Sequence, residues 1–310
     1  MPQWALTQSE PSHEAPCPVC RPPANRLQQP VKRRTGRRPV APVRDPYRQL
    51  QRRRRGHGGQ RGRWGTQRHL LHAAVLIEHP QGRFLFDTGL GHETAEAFAR
   101  NNWLNRKLLA YENLNPARDQ LEAAGYQASD IDFILPSHLH WDHLGGLPDF
   151  PGLPVLILPG ALEEAKTHGE PPAFLAEQLE GEREWRQIAL NDVPYQGFER
   201  SLDLFGDGQI VLVDLSGHTA GQVGLFVNLP SGKRLFLIGD TSWTERGVEQ
   251  NKPRPVFVQW ISHVDSDRER NSEQLKRIHE LHQRDPELLI VPAHDEAVAA
   301  GLAHFPSFEE

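Results

Sequence analysis

His138-Leu139-His140-Trp141-Asp142-His143-Leu144-Gly145-Gly146 sets three imidazoles and a carboxylate within one short stretch of chain. His and Asp each occur 16 times in the 310 residues. The pattern His-x-His-x-Asp-His would therefore arise by chance in about two of a thousand such chains, a strong signal for so short a motif. Neutral imidazole and carboxylate are the donors that borderline divalent metals prefer. Without a cation, groups this close would repel or desolvate one another, so a solvated histidine-rich loop explains them poorly. Alternate residues on a tight loop let His138 and His140 approach one ion while Asp142 and His143 face a second. Gly145-Gly146 lets the backbone pass close to a neighbour and then start a helix.

Working outward, the same construction recurs. Residues 131–135 read as an apolar strand running into Pro136-Ser137-His138. Residues 210–213 run into Asp214-Leu215-Ser216-Gly217-His218, 234–238 into Gly239-Asp240, and 288–291 into Pro292-Ala293-His294. In layered α/β architectures chemistry gathers on loops at strand ends, so four such deliveries point to one shared site. Counting donors favours two ions. His138, His140 and His218 fill one position, Asp142, His143 and His294 fill another, and Asp240 is left to bridge them. One metal would need only three His and a carboxylate.

Upstream, residues 71–78 read as a strand, His79-Pro80-Gln81-Gly82 as a turn, and 83–86 as a returning strand that ends in Asp87-Thr88-Gly89. Residues 93–103 have helical character. Asn115-Pro116 offers an N-cap and a first-turn proline for a helix that Gly125 closes. Residues 266–284 read as an amphipathic helix with Leu275, Ile278, Leu281 and His282 on one side. His79, His168, His263, His279 and His282 are expected at the surface.

With 37% hydrophobic and 24% charged residues the chain can bury a core. No apolar run approaches the roughly 18 residues of a membrane span, which excludes an integral membrane protein. The net charge of −5 hides an asymmetry. Residues 1–65 carry fifteen Lys and Arg against three Asp and Glu, a net of +12, which leaves −17 on the rest. Ten of the 26 prolines also fall there. The expected division is a disordered Arg/Pro-rich tail over 1–65 and one folded domain over 66–310. The runs at 32–34 and 52–55 could meet nucleic acid through charge alone, but an acidic catalytic domain is a poor host for a phosphate backbone. The only cysteines, Cys17 and Cys20, supply two ligands where structural zinc wants four. They build no disulfide framework, and no secretory signal precedes them, so a cytoplasmic setting is expected.

His138-x-His140-x-Asp142-His143, His218, Asp240 and His294, preceded by Phe86-Asp87-Thr88-Gly89, resemble the metal motifs of the metallo-β-lactamase-fold hydrolases, and most of all the N-acyl-homoserine lactonase-like group. The resemblance implies an α/β fold, an αββα four-layer sandwich with a dinuclear site at one edge of two sheets. It implies two divalent ions, zinc foremost with iron or manganese as alternatives, and a small-molecule ester or lactone as substrate. A metal-dependent phosphodiesterase or thioesterase of the same fold is the alternative. The expected mechanism is attack by a bridging hydroxide, with Asp240 holding the two ions and Asp142 orienting the water. Asp87 either steadies a ligand loop, as the resemblance implies, or is a turn aspartate. β-Lactam hydrolysis is disfavoured because such enzymes commonly carry a cysteine where this chain has Asp240. The lactonase-like group commonly has a tyrosine three residues beyond that aspartate, and here the residue is Trp243. An indole donates one N–H but cannot exchange a proton as a phenol does. Trp243 either walls a substrate's acyl or aryl group or packs into the core.

Overall fold

The computed structural model describes residues 70–167, 169, 171–180, 183–254 and 264–309. The expected tail, Cys17, Cys20, His168 and His263 lie outside the described residues. The described chain forms two five-stranded sheets. The first takes β1 (Val75–His79), β2 (Gly82–Phe86), β3 (Phe133–Leu135), β4 (Val155–Ile157) and β5 (Trp185–Gln187) in that order. β1 and β2 are an antiparallel hairpin; β2 through β5 run parallel. The second sheet has the order β10-β9-β8-β7-β6, from β6 (Ser201–Asp203), β7 (Ile210–Asp214), β8 (Val223–Asn228), β9 (Arg234–Leu237) and β10 (Leu288–Val291). Only β9 and β10 pair in parallel there.

Among the described residues the α-helices are α1 (Thr94–Ala99), α2 (Trp103–Leu108), α3 (Ala117–Ala123), α4 (Trp141–Leu144), α5 (Ala161–Thr167), α6 (Ala176–Leu179), α7 (Glu245–Glu249), α8 (Arg268–Arg284) and α9 (Glu296–Ala299).

Strand alternation sorts the apolar side chains into layers. Phe84, Phe86, Phe133 and Leu135 from one sheet share a core with Leu212, Leu225, Leu235 and Leu237 from the other. On the outer face of the first sheet, Leu85, Ile134, Val155 and Ile157 pack with Leu121 of α3, Leu144 of α4 and Ala161 of α5. On the outer face of the second, Val211, Val213, Phe226 and Ile290 pack with Leu275, Ile278 and Leu281 of α8. Helix, sheet, sheet, helix is the αββα sandwich that the motifs imply. Strands covered on both faces have no polar side to show, which is why Phe133-Ile134-Leu135 and Val155-Leu156-Ile157 are wholly apolar.

Several local expectations shift. The helix expected over 93–103 stops at Ala99, and the Asn102 side chain, accepting the Asn105 N–H at 2.9 Å, starts α2 afresh at Trp103. Pro116 is the N-cap of α3 rather than its first residue. A short 3-10 helix, Leu147–Asp149, starts after Gly145-Gly146 with Gly146 as its N-cap, and the α-helix of the motif itself begins earlier, at Trp141. His79 is not a surface histidine: its side chain is 2% exposed, stacked on Phe205 and bonded to Asp207. His279 is half-buried and donates to the Val248 carbonyl at 2.8 Å. No helix among the described residues is long and apolar enough to cross a membrane.

Candidate metal centre

The C-terminal ends of β2, β3, β7, β9 and β10 meet at one edge of the sandwich. The Val223 N–H donates to the Ser137 carbonyl at 2.7 Å and joins the two sheets there. Beyond β3 the chain bends at Ser137 and His138, Leu139 packs into the outer core, and His140, with extended backbone, is the N-cap of α4. α4 then places Asp142 and His143 on its single turn.

The glycines after the helix serve close packing. A Cβ on Gly146 would lie 2.6 Å from the Thr88 carbonyl oxygen, and one on Gly145 would lie 2.8 Å from that of Gly89. The Thr88 N–H and hydroxyl both donate to the His143 carbonyl at 2.9 Å, so the turn after β2 clamps the motif from below.

The structure brings all seven expected donors together. His138, His140 and His218 form one group, His138, His143 and Asp240 a second, and Asp142 and His294 a third together with His72. His294 Nε2 lies 3.0 Å from Asp240 Oδ1 and 3.5 Å from Asp142 Oδ2. His143 Nε2 is 3.4 Å from Asp240 Oδ1, and His218 Nε2 is 3.5 Å from Asp240 Oδ2. Asp240 therefore sits between the histidines of both expected positions. His138 belongs to either side, with its ring centre 4.0 Å from that of His143 and 4.5 Å from that of His140.

Four of these histidines are tied outward through Nδ1. His143 donates to Asp87 Oδ2 at 2.8 Å and His218 to Asp265 Oδ1 at 2.8 Å. His294 donates to the Leu71 carbonyl at 2.6 Å, and His138 to Ser137 Oγ at 3.0 Å, which in turn donates to Asp87 Oδ2. Such bonds fix the tautomer of a neutral ring and put its lone pair on Nε2, facing inward. Against burial, Asp87, Asp142 and Asp240 raise His143 well above the ordinary imidazole pKa and Asp240 raises His294, so in the metal-free protein these two hold a proton that a bound cation would displace. Consistently, the buried Nε2 atoms of His138 and His143 and Oδ1 of Asp240 have no hydrogen-bond partner. His140 instead turns Nδ1 inward, 3.0 Å from His218 Nε2. Buried polar atoms without partners are costly unless something meets them, and divalent cations fit this donor set.

Burial, reinforced by neighbouring imidazoles, holds His138 and His140 well below the ordinary imidazole pKa, so both are neutral and able to donate. Burial works to raise the Asp142 carboxyl, but His143, His72 and His294 outweigh it and keep the group ionised. The same opposition, led by His294 and His143, holds Asp240 well below the carboxylate range.

Asp87 adopts φ +59°, a left-handed conformation that Asp tolerates better than most residues. Its carboxylate accepts the Ser137 N–H at 2.6 Å as well as the bonds from Ser137 Oγ and His143. It steadies the ligand loop and is more than a turn residue. Trp243 is half-buried, and its Nε1–H donates to Asp240 Oδ2 at 2.7 Å. Its ring stands edge-on to His294, and the Arg254 guanidinium lies 5.1 Å from its face. The one hydrogen bond an indole can donate is thus spent on the carboxylate.

Sequence reading did not single out three contributors. Asp265 orients His218, and Arg254 pairs with Asp265 while donating to the Asp240 carbonyl at 2.5 Å. His72 donates through Nδ1 to Asp142 Oδ2 at 3.0 Å. None lies at a motif spacing; the only hint is Asp265 just ahead of the Asp267 N-cap of α8.

The profile of the metallo-beta-lactamase superfamily matches residues 68–294, and the chain belongs to that superfamily. It is a metal-dependent hydrolase. The chain is 32% identical over 239 residues to "Probable metallo-hydrolase" of Mycobacterium tuberculosis, covering 73% of this chain and 75% of that one. It is 28% identical over 237 residues to the N-acyl homoserine lactonase AttM of Rhizobium radiobacter, covering 75% and 85%. Among solved structures, a B. thuringiensis AiiA mutant with N-decanoyl-L-homoserine at its active site superposes with a TM-score of 0.58. It is 21% identical, over 76% of this chain and 86% of that one, a likeness of fold.

Proposed function

We propose that this protein uses two divalent ions to hydrolyse an ester or lactone bond in a small molecule with an apolar acyl part. The observation that carries the reading is the position of Asp240, a single buried carboxylate between histidines on either side, with its Oδ1 and the inward Nε2 atoms of His138 and His143 left without partners. His138, His140 and His218 would hold one ion, Asp142, His143 and His294 the other, and Asp240 both. Bound there, such ions supply a nucleophile near neutral pH and polarise the oxygen of the bond under attack.

The chain's own residues do the rest. Asp142, held ionised, orients the attacking water and accepts its proton; the acyl carbon–oxygen bond breaks, and the proton passes to the departing alkoxide. Asp87, Asp265 and the Leu71 carbonyl keep three imidazoles in the donor tautomer through the cycle. Trp243, with its N–H engaged by Asp240, meets substrate through its ring and provides no proton.

An apolar acyl group is supported by the aromatic cluster of Phe98, Tyr111 and Trp141 beside the motif and by Phe174 edge-on to His140. The lactonase names of relatives near 28% identity agree with it.

The test is a panel of acyl lactones, aryl esters, thioesters and phosphodiesters on metal-reconstituted protein. The reading expects lactones or esters to lead. Phosphodiesters turned over ahead of all acyl substrates would overturn it.

A further inference from the structure

The stretch ahead of β1 lies against the site, although no motif marks it. The Leu71 carbonyl accepts from His294 Nδ1 at 2.6 Å, and the Leu71 N–H donates to the His294 carbonyl at 3.4 Å. Leu70 forms a bridge with Asp295. One residue on, His72 Nδ1 donates to Asp142 Oδ2 at 3.0 Å. That same Oδ2 lies 3.5 Å from His294 Nε2 and 3.9 Å from His143 Nε2, so it faces the donors of the second ion position.

The backbone of this stretch is held from below. A Cβ on Gly89 would come within 2.8 Å of the His72 carbonyl oxygen, so only glycine permits the approach. The imidazole is confined at its sides, with its ring centre 5.7 Å from that of Trp141 and 5.3 Å from that of His294.

We propose that residues 70–72 are a built part of the second ion position, in which His72 is a positioning residue that sets the Asp142 carboxylate. The inference rests on the two-ion reading above. Among the described residues, Asp142 is the one carboxylate donor offered to that position besides the bridging Asp240, and it projects from the single turn of α4. An N–H bond to one oxygen selects the rotamer that turns the carboxylate toward His294 and His143, and Leu71 does the same for His294 from the backbone. Groups that orient a metal ligand in this way change metal affinity or turnover by about 10–100-fold when removed.

Because the contact is made through Nδ1, the two amide replacements separate its cause. His72→Asn puts an amide N–H close to the place of Nδ1; His72→Gln puts it near Nε2; His72→Ala removes the donor. Each variant and the unaltered protein are loaded with Zn, dialysed and assayed for metal content, then substituted with Co(II) for the visible spectrum, with kcat and KM on one acyl lactone alongside. The unaltered protein should retain about two ions. His72→Ala and His72→Gln should bind the second ion about 10–100-fold more weakly while keeping the first, with an altered Co(II) spectrum and a loss in kcat rather than KM. His72→Asn should restore both ions. An alanine variant with unaltered stoichiometry, spectrum and kcat would overturn the proposal. So would an asparagine variant that loses the second ion as fully as alanine does, because the imidazole would then be a ligand itself. Failure of the unaltered protein to retain two ions would instead refute the two-ion reading.

Discussion

Replacing Asp87 by Asn changes one atom of a buried carboxylate and asks whether that residue governs the site or only the turn. Asp87 is 4% exposed, and its oxygens accept three hydrogen bonds, from Ser137 N, Ser137 Oγ and His143 Nδ1. Asn tolerates the φ of +59° about as well as Asp, so backbone strain hardly changes. Its amide oxygen can still accept the Ser137 N–H. Its NH2 group then faces His143 Nδ1, which can satisfy it only by accepting. The proton moves to Nε2, the atom that points at Asp240 from 3.4 Å and is needed as a donor to metal. The folded protein loses one charge-assisted bond, about 1.5–3 kcal/mol, partly offset by the neutral bond that replaces it. Metal retention should fall by about 10–100-fold. Asp87→Ala should cost about 3–6 kcal/mol instead, from two or more orphaned donors and a left-handed alanine. Thermal melts of metal-free protein and metal content after dialysis read the two quantities separately. Full metal content in Asp87→Asn would refute the tautomer argument.

Three further outcomes are expected. Trp243→Tyr should reorder the panel of acyl substrates, weakening the bulkiest by about 1–3 kcal/mol, while the melting temperature stays nearly constant; an unchanged ranking with a lowered melting point would remove Trp243 from the substrate surface. Asp285 accepts a two-pronged bond from Arg234, and those bonds hold its carboxyl below the usual range. Asp285→Asn should cost about 1 kcal/mol at pH 7, and because a lowered carboxylate pKa stabilises only above the unfolded value, the gap to the unaltered protein should close as pH falls below about 4; a gap constant between pH 3 and 7 would refute it. Deleting residues 1–63 should leave metal binding and small-substrate hydrolysis intact, since none of the expected donors lies there; loss of soluble protein on truncation would contradict that expectation.

What could be read from the chain follows from how local each signal is. The four apolar runs that end in His138, His218, Asp240 and His294 were legible because strands buried on both faces carry no polar alternation. The dense motif was legible because its four donors fall within six residues, two on one turn of helix and two on the segment just before it. Asp87 could be named as a candidate but not decided, since a turn aspartate and a loop clamp look alike until Ser137 and His143 are in place. His72, Arg254 and Asp265 gave no signal: each reaches its partner through tertiary packing, His72 from 70 residues ahead of Asp142 in the chain. The fresh start of α2 at Trp103 depends on one Asn102 side chain accepting a backbone N–H, which the apolar pattern does not encode.

Metal content tests the central claim most directly. Protein purified without chelator, reconstituted and dialysed, should hold about two divalent ions per chain by elemental analysis, and Asp240→Ala should lose metal and turnover together because it removes the one carboxylate, among the described residues, set between the two groups of histidines. A stoichiometry that stays at one after reconstitution, with turnover intact, would contradict the account.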